Sequence, residues 1–156
     1  MSFAGNLFDA GFRGEAIYSM NENDADSNYV RGIIGMDYQF PHNIYAMIEY
    51  QYNGEGTPNK NVYLNYFSRL MNGEIQNVSR NYLAMMVSYQ VHALVNSSLT
   101  SITNLNDGSG MIGFSLGYNA LQDMNLGLGT MFFYGGMGTE YSFYAPAFYL
   151  SAEYYF

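Results

Sequence analysis

Apolar and polar residues alternate along this chain with a period of two, sustained for about ten residues at a time, which is the period of a strand rather than a helix. Phe12, Gly14, Ala16, Tyr18 and Met20 alternate with Arg13, Glu15, Ile17, Ser19 and Asn21. Val30, Ile34, Met36, Tyr38 and Phe40 stand against Arg31, Asp37 and Gln39, and Ile44, Ala46, Ile48, Tyr50 and Tyr52 against Glu49 and Gln51. Leu83, Met85, Val87, Tyr89 and Val91 oppose Arg80, Ser88 and Gln90. Ile112, Phe114, Leu116 and Tyr118 oppose Gly113, Ser115, Gly117 and Asn119, and Leu126, Leu128, Phe132 and Tyr134 oppose Asn125, Gly127 and Gly129. With the less regular stretch 97–106 and a final run ending at Phe156, the pattern predicts eight strands in one domain, residues 1–156, undivided by any linker.

The predicted connections alternate in length. "PHN", "HALVN" and "LQDM" follow the even strands, whereas "NENDADSN", the segment from Asn53 to Val78, "NDGSG" and "GGMGTEYSFYAP" follow the odd ones. Tight turns at one rim and longer loops at the other describe an up-and-down meander, which closes either as a soluble barrel with an apolar inside or as a membrane barrel with an apolar outside. Charge separates the two. Charged residues are 12% of the chain, about half the roughly 25% of a soluble protein. The polar faces carry only Arg13, Glu15, Arg31, Asp37, Glu49, Arg80 and Glu153, a set that suits an enclosed, mutually neutralising lumen better than a surface turned to water. Aromatics gather at strand ends, at Tyr38 and Phe40, Tyr50 and Tyr52, Phe132 and Tyr134, where interfacial girdles sit. The expected fold is therefore all-β: an eight-stranded antiparallel up-and-down transmembrane β-barrel with one short helix in a long extracellular loop. That helix is predicted in "NKNVYLNYFSRLMNG", with Tyr63, Phe67 and Leu70 on one face, Asn61 as N-cap and Gly73 as its stop.

The chain ends on "AFYLSAEYYF", with Phe148, Leu150, Ala152, Tyr154 and Phe156 at every second position. This run resembles the C-terminal assembly signal of bacterial outer-membrane β-barrel proteins. The resemblance implies a Gram-negative outer membrane as location, with the barrel-assembly machinery, the lipid bilayer and lipopolysaccharide as partners. The segment "SRNYLAMMVSYQVHALVNSSLTSITNLNDGSGMIGFSLGY" further resembles the C-terminal half of porin-like barrels of uncharacterised families, in which a helix-bearing loop precedes a strand pair. It implies passive transport if the chain is part of, or assembles into, a wider barrel. Physics points the other way for a lone monomer, because eight strands enclose only enough room for side chains, here Tyr45, Met47, Tyr82, Met86, Met131, Phe133, Tyr149 and Tyr155 beside the charges. A small structural or surface-binding outer-membrane barrel is thus the alternative.

A lipid-modifying enzyme is a further, weaker alternative, because its chemistry needs a His beside a Ser and a carboxylate at the outer rim. His42 and His92 lie in or beside short turns at the opposite rim, so no catalytic residues and no cofactor are expected. Cysteine is absent. Glu22, Asp24 and Asp26 have the spacing of weak calcium sites but lack the following glycine, so they are read as solvated loop acids rather than metal ligands. A net charge of −8 with five basic residues disfavours nucleic acid. The stretch 97–106 is the exception to the pattern: keeping Leu99 and Leu105 outward also turns out Ser97, Ser101 and Thr103, a face suited to a homo-oligomer contact.

Overall fold

The computed structural model of the chain describes residues 1–20 and 28–155. Within them the alternating stretches form nine strands: β1 (Ser2–Leu7), β2 (Ala10–Ser19), β3 (Tyr29–Phe40), β4 (Ile44–Asn53), β5 (Asn81–His92), β6 (Val95–Asn104), β7 (Gly110–Leu121), β8 (Met124–Tyr134) and β9 (Ala147–Tyr154). They pair in sequence order, every pair antiparallel, as one up-and-down sheet. Two expectations are corrected. The strands number nine instead of eight, and the sheet is open, because β1 and β9 each pair on one side only among the described residues. Helix α1 (Tyr63–Met71), preceded by the 3-10 turn Lys60–Val62, lies in the β4–β5 connection where the helical signal falls.

The additional strand escapes sequence reading because of its turn. A type I′ two-residue hairpin loop needs positive φ at both positions and favours Asn-Gly or Asp-Gly, yet Leu7 pairs with Ala10 across Phe8 and Asp9, which adopt φ of 50° and 65°. The helix start is also shifted. Asn59, not Asn61, caps the 3-10 turn, accepting a hydrogen bond from the Asn61 backbone N–H. Gly73 ends the helix as expected, at φ +74°, letting Gly73 and Glu74 donate backward to the Leu70 and Arg69 carbonyls.

Register carries one face intact across the sheet. Phe12, Met36, Ile48, Met85, Ser101, Ile112 and Phe132 form a single cross-strand row, each paired with the next. A one-residue slip anywhere would move a whole strand's apolar set to the other face. The pairing also fixes the register of β6, placing Leu99 between Val87 and Phe114 on the apolar face with Ser97, Ser101 and Thr103.

Exposure runs opposite to that of a soluble sheet. Along β5, Met85, Val87 and Tyr89 are exposed while Met86 and Ser88 are half-buried. Along β8, Leu126, Leu128, Phe132 and Tyr134 are exposed while Met131 and Phe133 are half-buried. The surface reaches 10496 Å² for 17.6 kDa, against about 7,900 Å² expected of a soluble monomer of that mass. Among described residues the fully buried apolar side chains are Tyr63, Ile75, Val78 and Tyr82, all at the loop end of the sheet. The described strands therefore have no core of their own, and their exposed apolar face contributes to the excess area.

Aromatic rings cover glycines on neighbouring strands and stiffen the sheet locally. The Tyr149 ring lies over Gly129, where an added Cβ would fall 2.4 Å from it, whereas Gly117 has nothing within 4 Å. Gly129→Val is expected to destabilise the folded protein by about 1–3 kcal/mol through displacement of that ring. Gly117→Ala is expected to be nearly neutral. Urea midpoints of the folded variants measure the contrast, and equal losses at both positions would show that ring coverage does not matter.

Candidate functional site

Long connections meet at one end of the sheet, where β4–β5, β6–β7 and β8–β9 loops converge, while short turns including His42 and His92 occupy the other end. The loops are joined there by a buried polar network. It starts from residue types that bond locally in turns, Asn, Asp and Ser. In "NLNDGS", the Asn104 side-chain oxygen accepts from the Asn106 N–H at 2.9 Å, and Asp107 accepts both the N–H and the hydroxyl of Ser109 at 2.7 Å. The β4–β5 loop then presses onto this turn. Gly56 passes so close to Ser79 that a Cβ would meet its carbonyl oxygen. Ser79 donates to Asn106 Oδ1 at 2.9 Å, and the same oxygen accepts from the Asn81 backbone and side chain.

Glu140, in the 3-10 turn Glu140–Phe143 of the β8–β9 loop, closes the network. Glu140 as a whole is 6% exposed. The Tyr82 hydroxyl donates to Oε1 at 2.8 Å and to Oε2 at 2.7 Å, and Asn104 Nδ2 donates to Oε2 at 2.8 Å. Tyr82 in turn accepts the Ser79 N–H at 2.7 Å, and the Glu140 N–H donates to Asp107 Oδ2 at 2.8 Å. Asn104 also reaches the Tyr63 hydroxyl of α1 at 3.2 Å. One side chain thus ties the helix-bearing loop to the β8–β9 loop.

Burial raises the pKa of Glu140, the Tyr82 and Asn104 hydrogen bonds oppose the rise, and the Asp107 charge adds to it. Burial likewise raises the Tyr63 and Tyr141 hydroxyls. Among the described residues no cation forms an ion pair with Glu140. Two neutral donors therefore hold the buried Glu140 carboxyl, an arrangement that fixes the loops firmly.

The seven charges expected in one network are only partly brought together. Arg13 lies 3.0 Å from Asp37 and 3.7 Å from Glu49, with Met47 sulfur at 2.7 Å, forming a triad on the polar face. Arg31 instead pairs with Glu55 and stacks 5.0 Å over the Tyr29 ring. Arg80 donates to the Gly56 carbonyl at 3.2 Å, serving the loop and not a carboxylate. Glu15 is exposed, and Glu153 accepts from Tyr155 at 3.0 Å. Of the terminal run, Phe148, Leu150, Ala152 and Tyr154 lie in β9 on its apolar parity, while Phe156 falls outside the described residues, as do Glu22, Asp24 and Asp26.

Sequence reasoning places Tyr82 on the inner face but does not find Glu140 or Asn104. The only local signal is an acid without a basic neighbour, ending "GGMGTE".

Because the folded pKa of Glu140 lies above its unfolded value, its contribution to stability is fully present below the unfolded pKa and is lost as pH rises through the folded one. The melting temperature of the folded protein is expected to rise as pH falls from 8 toward 5, and Glu140→Gln is expected to flatten that slope. An unchanged slope in the variant would show that another group carries it. Tyr82→Phe removes a donor from a buried carboxylate and is expected to cost about 1–3 kcal/mol at pH 8 and less at pH 5, read from urea titrations at both pH values. Compared with protein-family models, curated proteins and solved structures, the chain matches none.

Proposed function

We propose that this chain forms wall of an outer-membrane β-barrel of porin-like type, carrying passive transport once further strands close its sheet. The observation that carries the reading is the inverted exposure: apolar side chains are the exposed ones on strand after strand, and the polar face is the more enclosed. Water disfavours such a surface and acyl chains favour it. The hydroxyls on β6 fit this surface too. Ser97 donates to the Tyr89 carbonyl at 3.1 Å and the Thr103 and Tyr134 hydroxyls lie 2.7 Å apart, so these two residues need no protein partner to face lipid.

Strand parity supports a wider barrel over a self-closed one. The first and ninth strands of a meander run in the same direction, so direct β1–β9 pairing would be parallel. All-antiparallel closure takes an odd number of inserted strands. An unpaired edge cannot face hydrocarbon, since its N–H and C=O groups have no partners there. A second copy in the same orientation would again meet β9 with a parallel β1. The lipid bilayer, lipopolysaccharide and the barrel-assembly machinery are the partners that go with this reading.

The second reading, a structural or surface-binding barrel without transport, is favoured by the packed β4–β5 loop, whose Tyr63, Ile75 and Val78 are buried at one end of the sheet. Planar-bilayer recording separates the two. Porin-like function gives stepwise ohmic conductance, and a folded protein that never conducts supports the second reading.

Two variants test the membrane face. Leu116→Arg, on the apolar face of β7, is expected to cost about 2–4 kcal/mol near the bilayer midplane and to block folding into vesicles. Ser115→Ala, on the polar face where Ser115 meets Ser98 at 2.7 Å, is expected to fold. Cysteines scanned over Phe3 to Gly5 and Leu150 to Ala152 are expected not to form β1–β9 disulfides. Efficient disulfide formation would mean the sheet closes on itself.

A further inference from the structure

A cleft of about 340 Å³ opens at the loop end between α1 and the β8–β9 loop. Tyr63, Leu64 and Phe67 line it from α1 and Met137 and Phe143 from the β8–β9 loop, with Lys60 and Asn61 of the 3-10 turn completing the lining. We propose that this cleft binds a small amphiphile with an aromatic or aliphatic body and one anionic head, the body between the two walls and the head on the Lys60 ammonium.

Three observations carry this. First, the cleft is preformed, which lowers the ordering cost of binding. Its walls touch where the Phe67 and Phe143 rings meet edge-to-face at 5.9 Å. Both are also rooted in the same buried side chain, since Asn104 bonds to Tyr63 on one side and to Glu140 on the other. Second, large apolar residues are left exposed where the strands have already ended. Leu64 is 75% exposed, Met137 98% and Phe143 64%. The bilayer that covers the apolar face of the strands does not explain these positions, and an exposed apolar patch on the water side marks a binding surface. Third, the charge is selective. Lys60 is the only lysine of a chain with net charge −8, no carboxylate lines the cleft, and no described carboxylate forms an ion pair with Lys60. An anion in the cleft therefore meets no carboxylate in the lining, and an ammonium beside an amide supplies charge-assisted donors for a sulfonate, phosphate or carboxylate head.

Assigning the loop end to water rests on the membrane reading above, but binding is scored independently of conductance, so either can fail alone. The probe is 8-anilinonaphthalene-1-sulfonate, titrated by fluorescence into the protein in zwitterionic-lipid nanodiscs with empty nanodiscs as blank. N-phenyl-1-naphthylamine, the same rings without the sulfonate, is run in parallel. The expected result is saturable one-to-one binding of the sulfonate, weakened about tenfold by Lys60→Gln and largely kept by Lys60→Arg. Binding of the neutral amine should be unchanged by Lys60→Gln and weakened by Phe143→Ala. Lys60 and Phe143 are exposed loop residues, so both variants are expected to fold. Sulfonate binding indifferent to Lys60→Gln, or signal equal to empty nanodiscs, would overturn the proposal. Both probes weakened by Phe143→Ala with neither weakened by Lys60→Gln would leave an apolar patch with no anion site and would also overturn it.

Discussion

The alternation of exposed apolar and enclosed polar residues constrains everything else in this molecule. Nine strands pair by backbone hydrogen bonds with no apolar core between layers, so the sheet must find its apolar environment outside itself. In water each exposed Val, Leu or Phe would forgo on the order of 1.5–3 kcal/mol of burial. Repeated along strand after strand, that loss exceeds the whole stability of an ordinary domain. The same constraint explains why register is coherent from Phe12 to Phe132: a slipped strand would put Asp37 or Glu49 on the apolar face.

What the strands lack in core the loop end supplies. Tyr63, Ile75, Val78 and Tyr82 are buried beside Asn53, Ser79, Asn104 and Ser109, and each of the polar four makes at least one side-chain hydrogen bond, although Asn53 Oδ1 has no partner among the described residues. A network of this kind is directional, so it sets the positions of loops as well as their affinity for the sheet. Glu140 matters most because it is the buried ionisable member, held by donors from β5 and β6 and anchored through its own N–H to Asp107. The Arg13–Asp37–Glu49 triad is a separate unit on the polar face, nearer the turn end, with both carboxylates half-buried and Arg13 the more exposed member.

Strand type and facing were legible in sequence because a period of two is long-range and redundant, and α1 because Tyr63, Phe67 and Leu70 recur at helical spacing. The first hairpin was not, since Phe8 and Asp9 take positive φ without the glycine that usually advertises it. Closure was not legible either: it depends on which strands meet, and alternation is the same in an open sheet and a closed one. Glu140, Asn104 and Tyr82 are 36 and 58 residues apart in chain as bonded pairs, a separation no local pattern records. The partners of Arg31 and Arg80 were not legible because parity fixes a face but not a height, and both sit where the β4–β5 loop supplies acceptors in Glu55 and Gly56.

Whether lipid covers the apolar face is tested most directly by scanning nitroxide labels along β7 from Met111 to Tyr118 in vesicles and measuring collision with oxygen and with a water-soluble nickel complex. A lipid-covered face predicts a period of two, with oxygen favoured at Ile112, Phe114, Leu116 and Tyr118 and suppressed at Met111, Gly113, Ser115 and Gly117. Equal accessibility to the nickel complex at both parities would contradict it.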